Sequence, residues 1–333
     1  MGFRLLILTA GVQEYTLGNQ DTSKGRNYID DLPVKLKERI PDIRIDVCHT
    51  VESAKDVIGE ADVAFGVIVP DLFARAKKLK LILSPQAGPK AGYYHRALIE
   101  SDVIVTNARE IYSDHIGTHI LSLVLAFSRG LHGYISQQIR GEWKPGLATV
   151  HLPEATAVIV GVGGIGAETA RLCAAFGIKV IGIDPRRTEA PDGVAELHGP
   201  DALSDILPRG DFVIVTVPET PETQGMFGMD QFGLMKATAF FINIGRGATV
   251  DLDHLNEALR NGQIAGAGLD VFQVEPLPAV HPLWTAPGMI ITPHVAADGP
   301  YLDDRRVELF LDNCVRFAEG RSLRNVVDKA RWF

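Results

Sequence analysis

The chain has few cysteines, no long apolar run and no surplus of positive charge. Its three cysteines, Cys48, Cys173 and Cys314, are odd in number and widely spaced. No CxxC or Cys/His ligand spacing accompanies them, so nothing points to a metal site. Reduced thiols in a cytoplasmic protein are the simple reading. No stretch of about 18 uninterrupted apolar residues exists, so no membrane-spanning helix is expected. The short apolar run after Arg4 is too brief for a signal peptide and reads as a first strand. Acidic residues outnumber basic ones, 41 to 33, giving a net charge of −8. Nucleic-acid backbones and anionic membranes both reward a basic surface, so neither is expected as a partner. Any cationic site must be local. There is no short-period repeat and no low-complexity tract. The phosphate-binding pattern GxxxxGK[ST] is missing as well.

What remains is a chain of 333 residues, 46% hydrophobic and 22% charged. That is enough for about two domains at roughly 150 residues each. Short β-branched runs ("RLLILT", "IRIDVC", "DVAFGVIV", "LKLILS", "DVIVTNA") alternate with polar helical segments. A second series follows Pro153: "TAVIVG", "IKVIGID", "DFVIVTVP", "AFFINIG", "AGAGLDVF" and "GMIITP". Such alternation implies an α/β protein with parallel sheets covered by helices. Between the two series, apolar residues at helical spacing predict one long helix over residues 113–143. Another amphipathic helix is expected near residues 301–319. Residues 13–31 are polar and read as a loop, long for a connection between a first strand and a first helix.

The stretch "AVIVGVGGIGAETARLCAAFG" holds Gly161, Gly163, Gly164, Ile165 and Gly166 in a GxGxxG spacing. It follows an apolar strand and opens a helix, and a second strand then ends at Asp184. In that context the glycines let backbone approach a pyrophosphate. The helix start supplies unpaired N–H groups and the positive end of its dipole. A carboxylate at Asp184 accepts ribose hydroxyls and repels a 2′-phosphate, favouring NAD(H). Arg186 and Arg187 follow directly and suit a 2′-phosphate, so NADP(H) stays open.

The run "FINIGRGATV" places Arg246 between two glycines at the end of an apolar strand. Glu275 follows "AGAGLDVFQV", and His294 follows "MIITP". In an open parallel sheet ligands bind beyond the carboxyl ends of the strands, so all three would face one crevice. Arginine offers a charged bidentate fork to a carboxylate. Histidine can trade a proton near neutral pH, and a neighbouring glutamate holds its imidazolium. Singly, each has a bland reading as a loop residue or a solvated charge. Together, downstream of a dinucleotide loop, they point to hydride chemistry.

These segments, with "DFVIVTVPETPETQGMFG" and "HPLWTAPGMIITPHVAA", resemble the D-isomer-specific 2-hydroxyacid dehydrogenase family. The likeness is looser in "LKLILSPQAG" and "VIVTNA". It implies a Rossmann dinucleotide-binding domain, residues 104–297, inserted into a flavodoxin-like substrate domain, residues 1–103 and 298–333. It implies Arg246, Glu275 and His294 as the catalytic set. It also implies that backbone N–H groups of Ala87 and Gly88 hold the substrate carboxylate. Thr216, Val217, Pro218, Ile244, Gly245 and Asp270 would line the cofactor. The expected reaction interconverts small 2-keto acids and D-2-hydroxy acids with NAD, or NADP, in a homodimer. Formate dehydrogenases of the same fold carry glutamine where Glu275 stands. Phosphite oxidation uses a similar Arg/Glu/His set and stays open, as does a dinucleotide-sensing binding protein without turnover.

Overall fold

A computed structural model of the chain describes residues 2–10, 28–88 and 92–331. It divides into two compact units, Met1–Ile111 with Asp298–Phe333, and Tyr112–Ala297. In the first unit five strands form one parallel sheet: β1 (Arg4–Leu8), β2 (Arg44–Cys48), β3 (Val63–Phe65), β4 (Leu81–Leu83) and β5 (Ile104–Thr106). Their order, β2-β1-β3-β4-β5, is the flavodoxin-like one. The alternation along each strand explains how both faces are covered. Leu5, Ile7, Val63, Phe65, Leu81 and Leu83 pack on one side, against Leu32 and Leu36 of the helix Tyr28–Arg39 and Val307, Phe310 and Leu311 of the helix Leu302–Glu319. Leu6, Leu8, Ala64, Ile82 and Val105 pack on the other side, against Ala54, Ile58, Leu72 and Leu98. Side chains two residues apart share a face, so the inner strands are apolar on both faces, whereas the edge strand β2 carries Arg44 and Asp46.

The first unit reaches past residue 103, where the sequence placed its boundary. Strand β5 pairs in parallel with β4, and the returning tail closes on it. Val327 N–H donates to the Val105 carbonyl at 2.8 Å. Asn313, fully buried, donates to the Arg324 carbonyl at 3.1 Å and accepts from Arg324 N–H at 2.8 Å.

The second unit holds seven parallel strands: β6 (Thr156–Val160), β7 (Lys179–Ile183), β8 (Glu196–His198), β9 (Phe212–Val215), β10 (Phe240–Asn243), β11 (Gly266–Leu269) and β12 (Met289–Ile291). Their order is β12-β11-β10-β9-β6-β7-β8. The chain runs outward from β6 in one direction and then returns to β9 to run in the other. The crevice between β6 and β9 is thus the switch point at which doubly wound sheets bind dinucleotides.

The single helix expected over residues 113–143 is two, Ser113–Ser128 and Leu131–Ile139. Gly130 breaks it with φ 67°, a left-handed backbone that ends a helix. Periodicity continued across the break and concealed it. Of the polar stretch 13–31, residues 28–31 already belong to the first helix, and residues 13–27 lie outside the described residues. Among the described residues no helix is long and apolar enough to cross a membrane.

Candidate active site

Six strands of the second unit, β6, β7, β9, β10, β11 and β12, lead into the candidate site, each through the turn or loop at its carboxyl end. After β6, Gly161 adopts φ +93°, and a Cβ there would stand 2.8 Å from Val217 Cγ1. A Cβ on Gly163 would meet nothing within 4 Å. The helix Gly164–Ala175, which begins with Gly164 and Ile165, has no side-chain cap at its N-terminus. Its first N–H groups are therefore not taken by a side chain, and open space lies beside them. A dinucleotide pyrophosphate fits such a cradle, both in room and in the sign of the helix dipole. Thr216, past β9, donates from its hydroxyl to the Gly161 carbonyl at 2.6 Å and so ties the two sides of the switch point. Val217 and Ile244 are buried, and the Pro218 carbonyl accepts from the Thr223 hydroxyl at 2.7 Å.

Asp184 ends β7 as expected, but its carboxylate is turned onto backbone. It accepts from Val162 N–H at 2.9 Å, Arg186 N–H at 2.9 Å and Arg187 N–H at 3.1 Å. The Arg187 guanidinium bonds the Val162 carbonyl in return. Asp184 is only 5% exposed. Its first task is to clamp the glycine turn to the turn after β7.

Beyond β10, Arg246 is held by its backbone. The Asn243 amide and the Thr249 hydroxyl donate to its carbonyl at 3.0 and 2.7 Å. Gly245 N–H donates to Asn243 Oδ1 at 3.0 Å. Asn243 and Thr249 are fully buried, and sequence reasoning passed over both. A polar residue closing an apolar strand was the available signal, because a buried amide must find partners. Gly247 has to be glycine, since a Cβ would lie 1.9 Å from the Phe272 carbonyl carbon.

Glu275 and His294 come together from the loops after β11 and β12. His294 Nδ1 lies 2.9 Å from Glu275 Oε2, and Phe272 N–H donates to Glu275 Oε1 at 2.9 Å. Burial pushes the Glu275 carboxyl up. The His294 hydrogen bond, the Phe272 N–H and the charges of His294 and Arg246 outweigh that and hold it below the usual carboxylate range. With Nδ1 engaged by Glu275, the other ring nitrogen of His294 is the one that can exchange a proton with a ligand. His294 has φ 58°, a left-handed conformation that costs a non-glycine residue about 1–3 kcal/mol.

Asp270, expected beside the cofactor, has its carboxylate bonded to the histidine loop. It is 1% exposed, and its carboxylate accepts from the Thr292 hydroxyl at 2.6 Å and from Val295 and Ala296 N–H at 2.9 Å each. It is engaged with the histidine loop. Ala87 and Gly88 lie in the first unit, on the turn after β4, where the Asn107 amide donates to the Ala87 carbonyl at 2.9 Å.

A glycine cradle at a switch point, followed by an arginine and a glutamate–histidine pair on neighbouring loops, defines a dinucleotide-dependent oxidoreductase. The comparisons narrow the class. The model of the D-isomer specific 2-hydroxyacid dehydrogenase NAD binding domain matches residues 121–296. Glyoxylate/hydroxypyruvate reductase B of Pectobacterium carotovorum is 30% identical over 316 residues, which cover 91% of this chain and 96% of that one. D-3-phosphoglycerate dehydrogenase of Methanocaldococcus jannaschii is 31% identical over 303 residues, or 89% of this chain, and the chain spans 57% of that protein's length. The crystal structure of a D-isomer specific 2-hydroxyacid dehydrogenase from Xanthobacter autotrophicus in complex with NADPH and MES covers 100% of both chains at 28% identity, with a TM-score of 0.82. The chain belongs to the D-isomer specific 2-hydroxyacid dehydrogenase family.

Proposed function

We propose that the protein reduces a small 2-keto acid to the D-2-hydroxy acid, with Arg246, Glu275 and His294 as its catalytic residues. The observation that carries this reading is the 2.9 Å contact between His294 and Glu275 within the NAD-binding domain. Bound nicotinamide cofactor supplies or accepts the hydride. Arg246 binds the substrate carboxylate and keto oxygen through its guanidinium fork. Glu275 holds Nδ1–H of His294, so the imidazolium presents its remaining N–H to the keto oxygen and protonates it. In the first unit, backbone N–H groups of Ala87 and Gly88 are the assigned donors to the substrate carboxylate. The relatives include glyoxylate/hydroxypyruvate reductases, which makes glyoxylate and hydroxypyruvate the first substrates to try.

The assembly proposed is a homodimer. Leu131, Ile135 and Ile139 follow one another at helical spacing and are 46%, 55% and 82% exposed, with Trp143 at 97%. Such a stripe on a soluble protein is the kind of surface a second copy covers about a two-fold axis. A cytoplasmic location agrees with three cysteines that are free and buried.

The test is a spectrophotometric assay of the purified chain with NADH or NADPH and a panel of 2-keto acids. Loss of reduced-cofactor absorbance with at least one acid is expected. No turnover with either cofactor across the panel would overturn the reading.

A further inference from the structure

The catalytic reading leaves one polar chain of the second unit unexplained. It begins at His119 on the helix Ser113–Ser128, far in sequence from the three catalytic residues. His119 Nε2 lies 3.2 Å from the Thr292 hydroxyl, which lies 2.6 Å from Asp270 Oδ1. Asp270 ends the chain on Val295 and Ala296 N–H.

Its direction follows from hydrogen counting. Both Asp270 oxygens receive backbone N–H groups, so the carboxylate is an acceptor throughout. Thr292 has one hydroxyl hydrogen, and at 2.6 Å that hydrogen goes to Asp270. The hydroxyl oxygen is then left as an acceptor, and His119 must carry its hydrogen on Nε2. The sequence of donation is His119 to Thr292 to Asp270.

The far end of this chain encircles His294. The Asp270 carboxylate is bonded to Thr292 on one side of that residue and to Val295 and Ala296 on the other. Pro293 between them has no N–H to give. Strand pairing supplies the frame, with Leu269 opposite Ile291 and Thr292 N–H donating to the Leu269 carbonyl at 3.0 Å. The second unit ends at Ala297, so the loop is the last segment of that unit. A left-handed His294 at such a place keeps its geometry only if its surroundings impose it.

We propose that His119 and Thr292 are positioning residues: through Asp270 they fix the backbone of His294, and so the direction in which its imidazole offers the proton. This rests on His294 being the acid of the reaction. Thr292 serves as the relay because a hydroxyl can accept and donate at once, and His119 sets the rotamer of that hydroxyl.

The experiment compares the full-length enzyme with His294→Asn, Thr292→Val, Thr292→Ser and His119→Leu, recording kcat, KM for the keto acid, NADH affinity and Tm. His294→Asn tests the underlying reading: if it keeps wild-type turnover, His294 is not the acid. With His294→Asn inactive, Thr292→Val is expected to lower kcat by about 10- to 100-fold, the scale set by a misplaced catalytic group. KM and NADH affinity should stay within about threefold, and Thr292→Ser should recover most of the loss, since it restores the hydroxyl. A general structural role would lower Tm and cofactor affinity together and would not separate kcat from KM. Wild-type kcat in Thr292→Val would overturn the proposal, and so would a loss matched by weakened NADH binding. If Thr292→Val does not fold, His119→Leu decides: it severs only the outer link and should lower kcat severalfold, and wild-type kcat there would overturn the proposal.

Discussion

The two units are built on the same plan, a parallel sheet with helices on both faces, yet they use their strand ends differently. In the second, Asn243, Asp270 and Asp184 are buried where strands finish, and each spends its hydrogen bonds on a loop that carries or cradles something. In the first, Thr106 and Asn313 close the unit on itself, and Asn107 does so through its backbone while its side-chain amide holds the Ala87 carbonyl. Thr106 and Asn313 are within 3.4 Å, and Asn107 N–H donates to the Asn325 carbonyl at 3.2 Å. In the proposed reaction the catalytic side chains all come from the loops of the second sheet, and the first is proposed to offer only backbone N–H groups at Ala87 and Gly88. A shared fold therefore does not decide where the chemistry sits, and the polar residues at the strand ends do.

The sharpest test of that contrast removes a side chain from the second unit. Arg246→Ala should lower kcat/KM by about 10²–10³-fold or more, the loss seen when a fixed donor to developing charge is deleted. NADH affinity should stay near wild type, because the cradle around Gly163 is untouched. Lost cofactor affinity with normal turnover at saturation would contradict the role given to Arg246.

Glu275→Gln should act next most strongly, lowering kcat by about 10²-fold, with a pH signature. The native Glu275 carboxyl is depressed by its partners, after burial has pushed it the other way. Its pairing with His294 is therefore fully present above the ordinary carboxylate range and is lost only as pH falls through the lowered value. Glutamine cannot titrate, so the acid limb of keto-acid reduction that protonation of Glu275 sets should be missing from the variant. A variant whose acid limb is unchanged from wild type would detach Glu275 from the reaction.

How much of this could be read beforehand follows the same division. The places of the glycine turn, Asp184, Arg246, Glu275 and His294 at strand ends were legible because they stand beside strands that local periodicity already marks. Asn243, Thr249, Thr292 and His119 were not. They bond to backbone or to one another across strands, and partners as far apart as His119 and Thr292 leave no spacing to notice. The bonds of Asp270 to the histidine loop were hidden for the same reason, since β11–β12 register decides what its carboxylate meets. In the first unit the strands were visible, but the assignment of β5 depended on pairing with β4. Gly130 ended a helix whose apolar period ran on past it.

A stability measurement separates the two uses of buried polar groups. Asn313→Ala leaves the Arg324 carbonyl and N–H without their side-chain partner and should cost about 2 kcal/mol of stability. Turnover per folded molecule and NADH affinity should not change, because the asparagine only closes the first unit. A selective fall in kcat at full folding would show that the first unit reaches the chemistry through side-chain order.

The smallest expected effect is the one most able to break the comparison. Gln86, beside Ala87, is 5% exposed, and among the described residues its Oε1 has no hydrogen-bond partner. A buried acceptor left unpaired is a cost to the folded state, and replacing it with an apolar group of similar shape is about neutral or stabilising by roughly 1 kcal/mol. Gln86→Met should therefore keep or slightly raise Tm and change kcat/KM by no more than about threefold, as expected if only backbone groups of that turn hold the substrate. The alternative has a different signature. If Oε1 is kept unpaired in order to receive a polar group of the substrate, Gln86→Met will raise Tm while KM for the polar keto acid rises tenfold or more, on the scale of a lost buried hydrogen bond. KM for an apolar keto acid of equal length would hardly move. That pattern would make the first unit a side-chain reader of substrate identity, and the contrast between the units would then be one of reaction against specificity.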